Sequence, residues 1–150
     1  MIFSKDQKLL SKAPKISEEL DKLIGELVEE KLKHKIYVVG HSHIDVAWMW
    51  SYEDTKRKIR RTFSTILHLI RKEDITYAQS SSLYIDWLKE ESPQLYNQVK
   101  EEVRKKKWIP IGGMLIEPDL WMISGEALAR HLLYDQKSFM KHFGKKSIIE

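Results

Sequence analysis

The chain has 150 residues, 42% of them hydrophobic, with 26 Lys and Arg against 22 Asp and Glu, a formal net charge of +4 and no cysteine. That is one ordinary domain with enough apolar sequence for a core; it excludes a disulfide scaffold and any thiolate metal site, so a metal would be held by imidazole and carboxylate. The cations are interleaved with glutamates, as in Lys100-Glu101-Glu102-Val103-Arg104-Lys105-Lys106-Lys107, which describes a solvated helix face and not a nucleic-acid surface.

Met1-Ile2-Phe3-Ser4-Lys5-Asp6 contains no apolar leader, and eighteen apolar residues nowhere run together, so the expectation is a soluble cytoplasmic chain with no membrane partner. Ile16, Leu20, Leu23, Ile24, Leu27, Val28 and Leu32 fall at the spacing of one buried stripe, which predicts an amphipathic helix within an N-terminal helical segment, residues 1–34. Lys35-Ile36-Tyr37-Val38-Val39-Gly40 reads as a strand buried on both faces, and it is followed directly by His41-Ser42-His43-Ile44-Asp45.

A helix is predicted from about Thr55 to Arg71 with Ile59, Phe63, Ile66, Leu67 and Ile70 inward, then a strand over 75–79. After Ser80-Ser81-Ser82 comes a helix carrying Leu83, Trp87 and Leu88. A second helix is capped by Ser92, with Pro93 at its first position, and ends near Lys107. Trp108-Ile109-Pro110-Ile111-Gly112-Gly113 resembles a third strand, Ser124 caps a helix that Gly144 stops, and 147–150 look like the opening of a fourth strand. Strands alternating with helices predict an α/β protein with a parallel sheet. Three strands and a stub do not close a barrel, which typically takes about 250 residues, so the chain is inferred to be a fragment.

In an extended segment alternate side chains point the same way, so His41, His43 and Asp45 can project together from the end of the first strand. An imidazole and a carboxylate two residues apart suit zinc; a pair of hydrogen-bonded histidines is the competing reading. A metallo-β-lactamase-like site would need a histidine where Val46 stands. An amidohydrolase barrel, which also carries H-x-H on its first strand, stays open. Val46-Ala47-Trp48-Met49-Trp50 sets aromatics beside the motif, flat surfaces on which the C–H face of a sugar can stack.

The stretch from Gly40 through Trp50, with Arg61-Thr62-Phe63-Ser64 and Gly112-Gly113-Met114-Leu115-Ile116-Glu117-Pro118-Asp119 after it in that order, resembles the N-terminal catalytic region of the α-mannosidases of glycoside hydrolase family 38, from about Ile36 onward. The resemblance implies that residues 35–150 are the first, incomplete part of a (β/α)7-type barrel. It implies retaining hydrolysis of terminal α-linked mannose in mannosides or oligosaccharides, with Zn2+ as cofactor. His43, Asp45 and Asp119 become metal ligands, Asp119 also the catalytic nucleophile, and Trp48 a substrate-binding wall; His41 is a neighbour of the metal. The family's fourth ligand, a histidine, and its acid/base aspartate would lie past Glu150, so the remainder of the catalytic domain is an expected partner. A fragment inactive alone, or a subunit needing a partner chain, is kept as an alternative, and homo-oligomerisation is left open. His34, His68, His131 and His142 are expected at the surface or half-buried.

Overall fold

A computed structural model describes residues 13–31 and 35–149, which fall into two compact units divided between Val38 and Val39. In the first unit the leading helix, α1, spans Ala13–Lys31. Of its apolar stripe Ile16, Leu20, Leu23 and Ile24 are exposed, and the side chains of Leu27 and Val28 lie outside the described ones. Leu32 and His34, and Glu150 at the end of the expected fourth strand, lie outside the described residues.

The expected strand over 35–40 is corrected. Ile36, Tyr37 and Val38 are about four-fifths exposed, and β1 consists of Gly40–His41 alone. Its neighbour β2 (Tyr77–Gln79) pairs with it from Gly40, opposite Tyr77, onward. An apolar run is a strand only where another strand receives its N–H and C=O groups.

In the second unit β1 is followed by α2, Tyr52–Glu73. Its start is fixed by a capping box: the Ser51 hydroxyl accepts from the Asp54 N–H at 3.3 Å, and the Asp54 carboxylate accepts from the Ser51 N–H at 3.2 Å. Asp74, in the left-handed region at φ 52°, ends it. Ile59, Phe63, Leu67 and Ile70 are buried along one face, as the spacing predicts. After β2 come α3 (Leu83–Glu91) and α4 (Pro93–Arg104), then β3 (Trp108–Pro110) and α5 (Gly125–Phe143).

Ser92 does not cap α4 with its side chain. It is the shared corner of two helices, its N–H donates to the Leu88 carbonyl at 2.8 Å, and Pro93 has no N–H to satisfy. Ser124 does cap α5, accepting from the Ala127 N–H at 3.2 Å, and Gly144 closes it at φ 69°.

The sheet order is β1-β2-β3, parallel throughout, with Gly40 opposite Tyr77, and Tyr77 opposite Trp108. Each strand is joined to the next through helices, the connection a parallel pair requires. The core is centred on Phe63, Tyr77 and Trp108, whose rings meet edge to face with centroids 4.8 Å (Phe63–Trp108) and 4.7 Å (Tyr77–Trp108) apart. Residues 147–149 form no strand, although the Gly112 N–H donates to the Ile149 carbonyl at 2.6 Å. Among the described residues no helix is long and apolar enough to cross a membrane.

Candidate functional site

The segment after β1 leaves the sheet without regular structure, and side chains from three elements fix its backbone. From β2, the Gln79 amide donates to the Ser42 carbonyl at 3.1 Å, and its own carbonyl oxygen accepts from the Tyr77 hydroxyl. From α3, the buried Tyr84 hydroxyl donates to the Ile44 carbonyl. From α2, the fully buried Thr55 hydroxyl donates to the Asp45 carbonyl at 3.2 Å and accepts from the Ala47 N–H at 3.2 Å and the Trp50 indole N–H at 2.9 Å. Burial pushes the Tyr77 and Tyr84 hydroxyls up to about 12, so both remain donors at any working pH. Ala47 sits at φ 58°, a left-handed position that a residue with a Cβ adopts only where its surroundings impose it.

His41 turns back to the sheet, its Nδ1–H donating to the Ala78 carbonyl at 3.0 Å. His43 points outward between two carboxylates. Its Nε2 stands 3.0 Å from Asp45 Oδ1 and its Nδ1 2.5 Å from Glu117 Oε2. Glu117 is held in turn by the Ser80 hydroxyl on its other oxygen, with His41 Nε2 3.9 Å away. The Asp45 hydrogen bond, and after it Glu117, hold the His43 imidazole above its ordinary pKa.

Two donors bound to one tetrahedral zinc at about 2.0–2.1 Å stand about 3.3 Å apart. The 3.0 Å between His43 Nε2 and Asp45 Oδ1 is close to that spacing, so an ion could replace the proton between them with little movement. Metal-bound histidines characteristically give their other ring N–H to a carboxylate, the place Glu117 takes. Because Glu117 faces the opposite nitrogen, it cannot share an ion with Asp45. Among the described residues no three His, Asp or Glu side chains form a ready cage. Asp119 is exposed; its carboxylate accepts from the Trp121 N–H at 3.0 Å and makes no bond to His43 or Asp45. The residues present could supply two ligands to one zinc ion, His43 and Asp45, with Glu117 supporting the first.

Trp48 is 67% exposed, its ring edge-on to that of Trp50 at 5.6 Å. Trp50 is half-buried and tied to Thr55. Two cavities flank the site. One of about 250 Å3 is lined by His41, Ser80, Gly112, Gly113, Met114 and Glu117. The other, about 180 Å3, lies between His43 and Asp45 and the first turns of α2, where Trp50, Lys58, Arg61 and Thr62 complete its wall. Gly112, at φ 80°, passes so close to Ser80 that an added Cβ would stand 3.2 Å from the serine Cβ.

Sequence reasoning did not single out Thr55, Gln79, Ser80, Tyr84 or Glu117. Gln79 carried a usable signal, a polar residue closing an apolar strand. His142 is corrected: it is buried, its Nε2 2.8 Å from Asp86 Oδ1 and its Nδ1 2.9 Å from the Tyr96 hydroxyl. His131 is half-buried and His68 exposed.

Residues 33–149 match the model of the family described as the glycosyl hydrolases family 38 N-terminal domain. The chain is 43% identical over 113 residues to alpha-mannosidase G of Dictyostelium discoideum, covering 75% of this chain and 10% of that protein. It is 37% identical over 114 residues to human alpha-mannosidase 2C1, covering 75% and 11%, and 35% identical over 123 residues to the alpha-mannosidase of Saccharomyces cerevisiae, covering 81% and 11%. It thus spans about a tenth of the length of these curated relatives. The family match sets the amidohydrolase reading aside.

Proposed function

The chain belongs to glycosyl hydrolase family 38, and from that premise we propose that it carries the metal-binding and nucleophile-bearing part of a retaining, zinc-dependent α-mannosidase acting on terminal α-linked mannosides. On this reading the parallel β1-β2-β3 sheet opens a (β/α)7-type barrel that begins near residue 35. Residues 1–34, which include α1, precede it. The loops after its strands then carry the chemistry, as the loops at the C-terminal face of such barrels do.

The observation that carries the proposal is the 3.0 Å pairing of His43 Nε2 with Asp45 Oδ1, with Glu117 on the other ring nitrogen. His43 and Asp45 would hold the zinc, and Asp119, on the loop that bears Glu117, would join them. When bound, the ion supplies a Lewis-acid anchor for sugar hydroxyls. The protein's own groups do the rest. Glu117 keeps the Nδ1 proton in place and so leaves Nε2 free to act as donor to the metal. Trp48 offers its indole face to the sugar ring.

Asp119 attacks the anomeric carbon as the leaving oxygen takes a proton from a second carboxyl, which retaining enzymes hold about 5–5.5 Å away. That second carboxyl, with a further zinc-ligating histidine, is proposed to come from polypeptide outside these 150 residues. The covalent glycosyl ester on Asp119 is then cleaved by water, with the second carboxyl acting as base, so configuration at the anomeric carbon is kept.

The test is release of nitrophenol from a nitrophenyl α-mannoside, by the 150-residue chain and by a longer polypeptide containing it, before and after removal of metal. The longer polypeptide should turn over in a zinc-dependent way, and Asp119→Ala should abolish that turnover and weaken zinc retention. Activity in the isolated chain would refute the claim that essential groups lie elsewhere. Unchanged rate and zinc content in Asp119→Ala would refute its role.

A further inference from the structure

We propose that the cavity between the His43-Asp45 pair and α2 is an oxyanion subsite, in which Lys58 and Arg61 receive a phosphate group carried by the sugar substrate. The sugar part rests on the mannosidase reading above; the phosphate part does not.

The argument begins with the cations of α2. There are seven, and five of them, Lys56, Arg57, Arg60, Arg71 and Lys72, have a carboxylate at 3.8 Å or less. Among the described residues Lys58 and Arg61 have no ion-pair partner, and these two are the cations that line the cavity. A helix that satisfies its other cations within the fold leaves two unsatisfied where a ligand could reach them. They are three residues apart, so their side chains leave the same side of the helix. Lys58 is half-buried, with its ammonium 4.2 Å from the centre of the Trp50 ring. That contact fixes the head group without neutralising it.

The cavity wall contains one acid, Asp45, whose Oδ1 is engaged by His43. Two cations against one carboxylate leave the lining positive, and a metal ion at His43 and Asp45 would make it more so. A neutral hexose offers hydroxyl acceptors to such a wall but no charge to balance it. A phosphomonoester has about −1.5 to −2 charge at pH 7 and three acceptor oxygens. Two can be taken by the planar guanidinium fork of Arg61 and the third by the Lys58 ammonium, whereas a carboxylate would be used up by the arginine alone. The subsite adjoins the proposed metal centre, so the phosphate would be a substituent of the sugar or of its immediate aglycone.

Calorimetric titration in the presence of a chelator tests this with three probes: inorganic phosphate, mannose and mannose 6-phosphate. The proteins are the wild-type chain, Lys58→Gln/Arg61→Gln, and Arg57→Gln/Arg60→Gln as a control with the same loss of charge from the same helix. Thermal unfolding of each confirms that it is folded. Inorganic phosphate should bind the wild type and the control alike, and the Lys58→Gln/Arg61→Gln protein at least about tenfold more weakly, the effect of losing roughly one charge-assisted hydrogen bond. Binding should also weaken when salt is raised, since Arg61 is exposed. No phosphate binding by the wild type, or equal binding by Lys58→Gln/Arg61→Gln, overturns the proposal. Mannose 6-phosphate should bind more tightly than inorganic phosphate. The mannoside reading is tested apart from this, by nitrophenyl α-mannoside turnover in the longer polypeptide: phosphate binding that Lys58→Gln/Arg61→Gln abolishes, with no turnover there, leaves the subsite standing and refutes the mannoside reading.

Discussion

Removing Glu117 should loosen zinc without unfolding the protein. Its carboxylate accepts from His43 Nδ1 at 2.5 Å while His43 Nε2 faces Asp45, so on the proposed reading it would act on the metal through the ring and not by direct ligation. A hydrogen bond to a charged group contributes about 1.5–3 kcal/mol when shielded. The Glu117 side chain is 38% exposed, and water can replace part of what it supplies, which puts the expected loss toward the lower end of that range. This agrees with the roughly 10–100-fold loss of metal affinity usual for such outer partners. Glu117→Ala should therefore weaken zinc by about 10–100-fold, and Glu117→Gln by less, because the amide oxygen still accepts from Nδ1–H. Competition against a chromophoric chelator at fixed pH measures both, with His43→Ala as the reference for a lost ligand. An affinity within twofold of wild type for Glu117→Ala would refute the coupling. A loss as complete as that of His43→Ala would instead make Glu117 a ligand.

Other outcomes follow from the same geometry. Trp48→Ala should leave thermal stability unchanged, because the indole is 67% exposed, and should raise the KM for a nitrophenyl mannoside about tenfold in a polypeptide that turns it over, from lost ring stacking. Ser51→Ala should cost about 1 kcal/mol in urea unfolding by removing the cap of α2. The Ser51 hydroxyl, with Arg57, holds the Asp54 carboxyl down at about 2, so the contribution of Asp54 is present above its ordinary 3.8 and is lost as pH falls through about 2. Burial pushes the Asp86 carboxyl up, but hydrogen bonds from His142 and Ser138 and the charges of His142 and Lys141 outweigh it and hold it below its ordinary value. Its stabilisation is likewise complete above 3.8 and lost below, so Asp86→Asn should flatten the fall in urea midpoint between pH 4 and pH 2; an unchanged slope would refute the pairing.

The helices were the most legible part of the sequence. Ile59, Phe63, Leu67 and Ile70 recur at the helical period, and the structure buries that stripe. Strand limits were not legible from Ile36 to Val39, because β propensity is local while pairing depends on where the chain returns at Tyr77. The cap at Ser92 failed because the residue serves two helices at once, which composition does not reveal. The burial of His142 was hidden because its partner Asp86 lies 56 residues away.

At the site, the motif from His41 to Asp45 was visible as a pattern of donors, and Trp48 as an aromatic beside it. Glu117 lay within a quoted motif but had no assigned role, since nothing in the chain order says that residue 117 meets residue 43. Thr55 and Tyr84 were invisible for the same reason, and Gln79 showed only as a polar residue closing an apolar strand. They act on backbone carbonyls, which leave no signature in the side-chain sequence.

Those three residues tie the segment after β1 to α2, β2 and α3 through hydrogen bonds that form only when all three elements are packed. On the zinc-binding reading proposed above, ion and fold are thermodynamic partners. An ion that binds the assembled site and not the open chain stabilises the whole unit, by about 2.7 kcal/mol when free zinc is a hundredfold above its dissociation constant. By the same linkage, a substitution deep under Phe63, far from any ligand, would register as weakened metal affinity wherever it allows the unit to open. On that reading, the free concentration of the ion is a variable of folding as much as of catalysis.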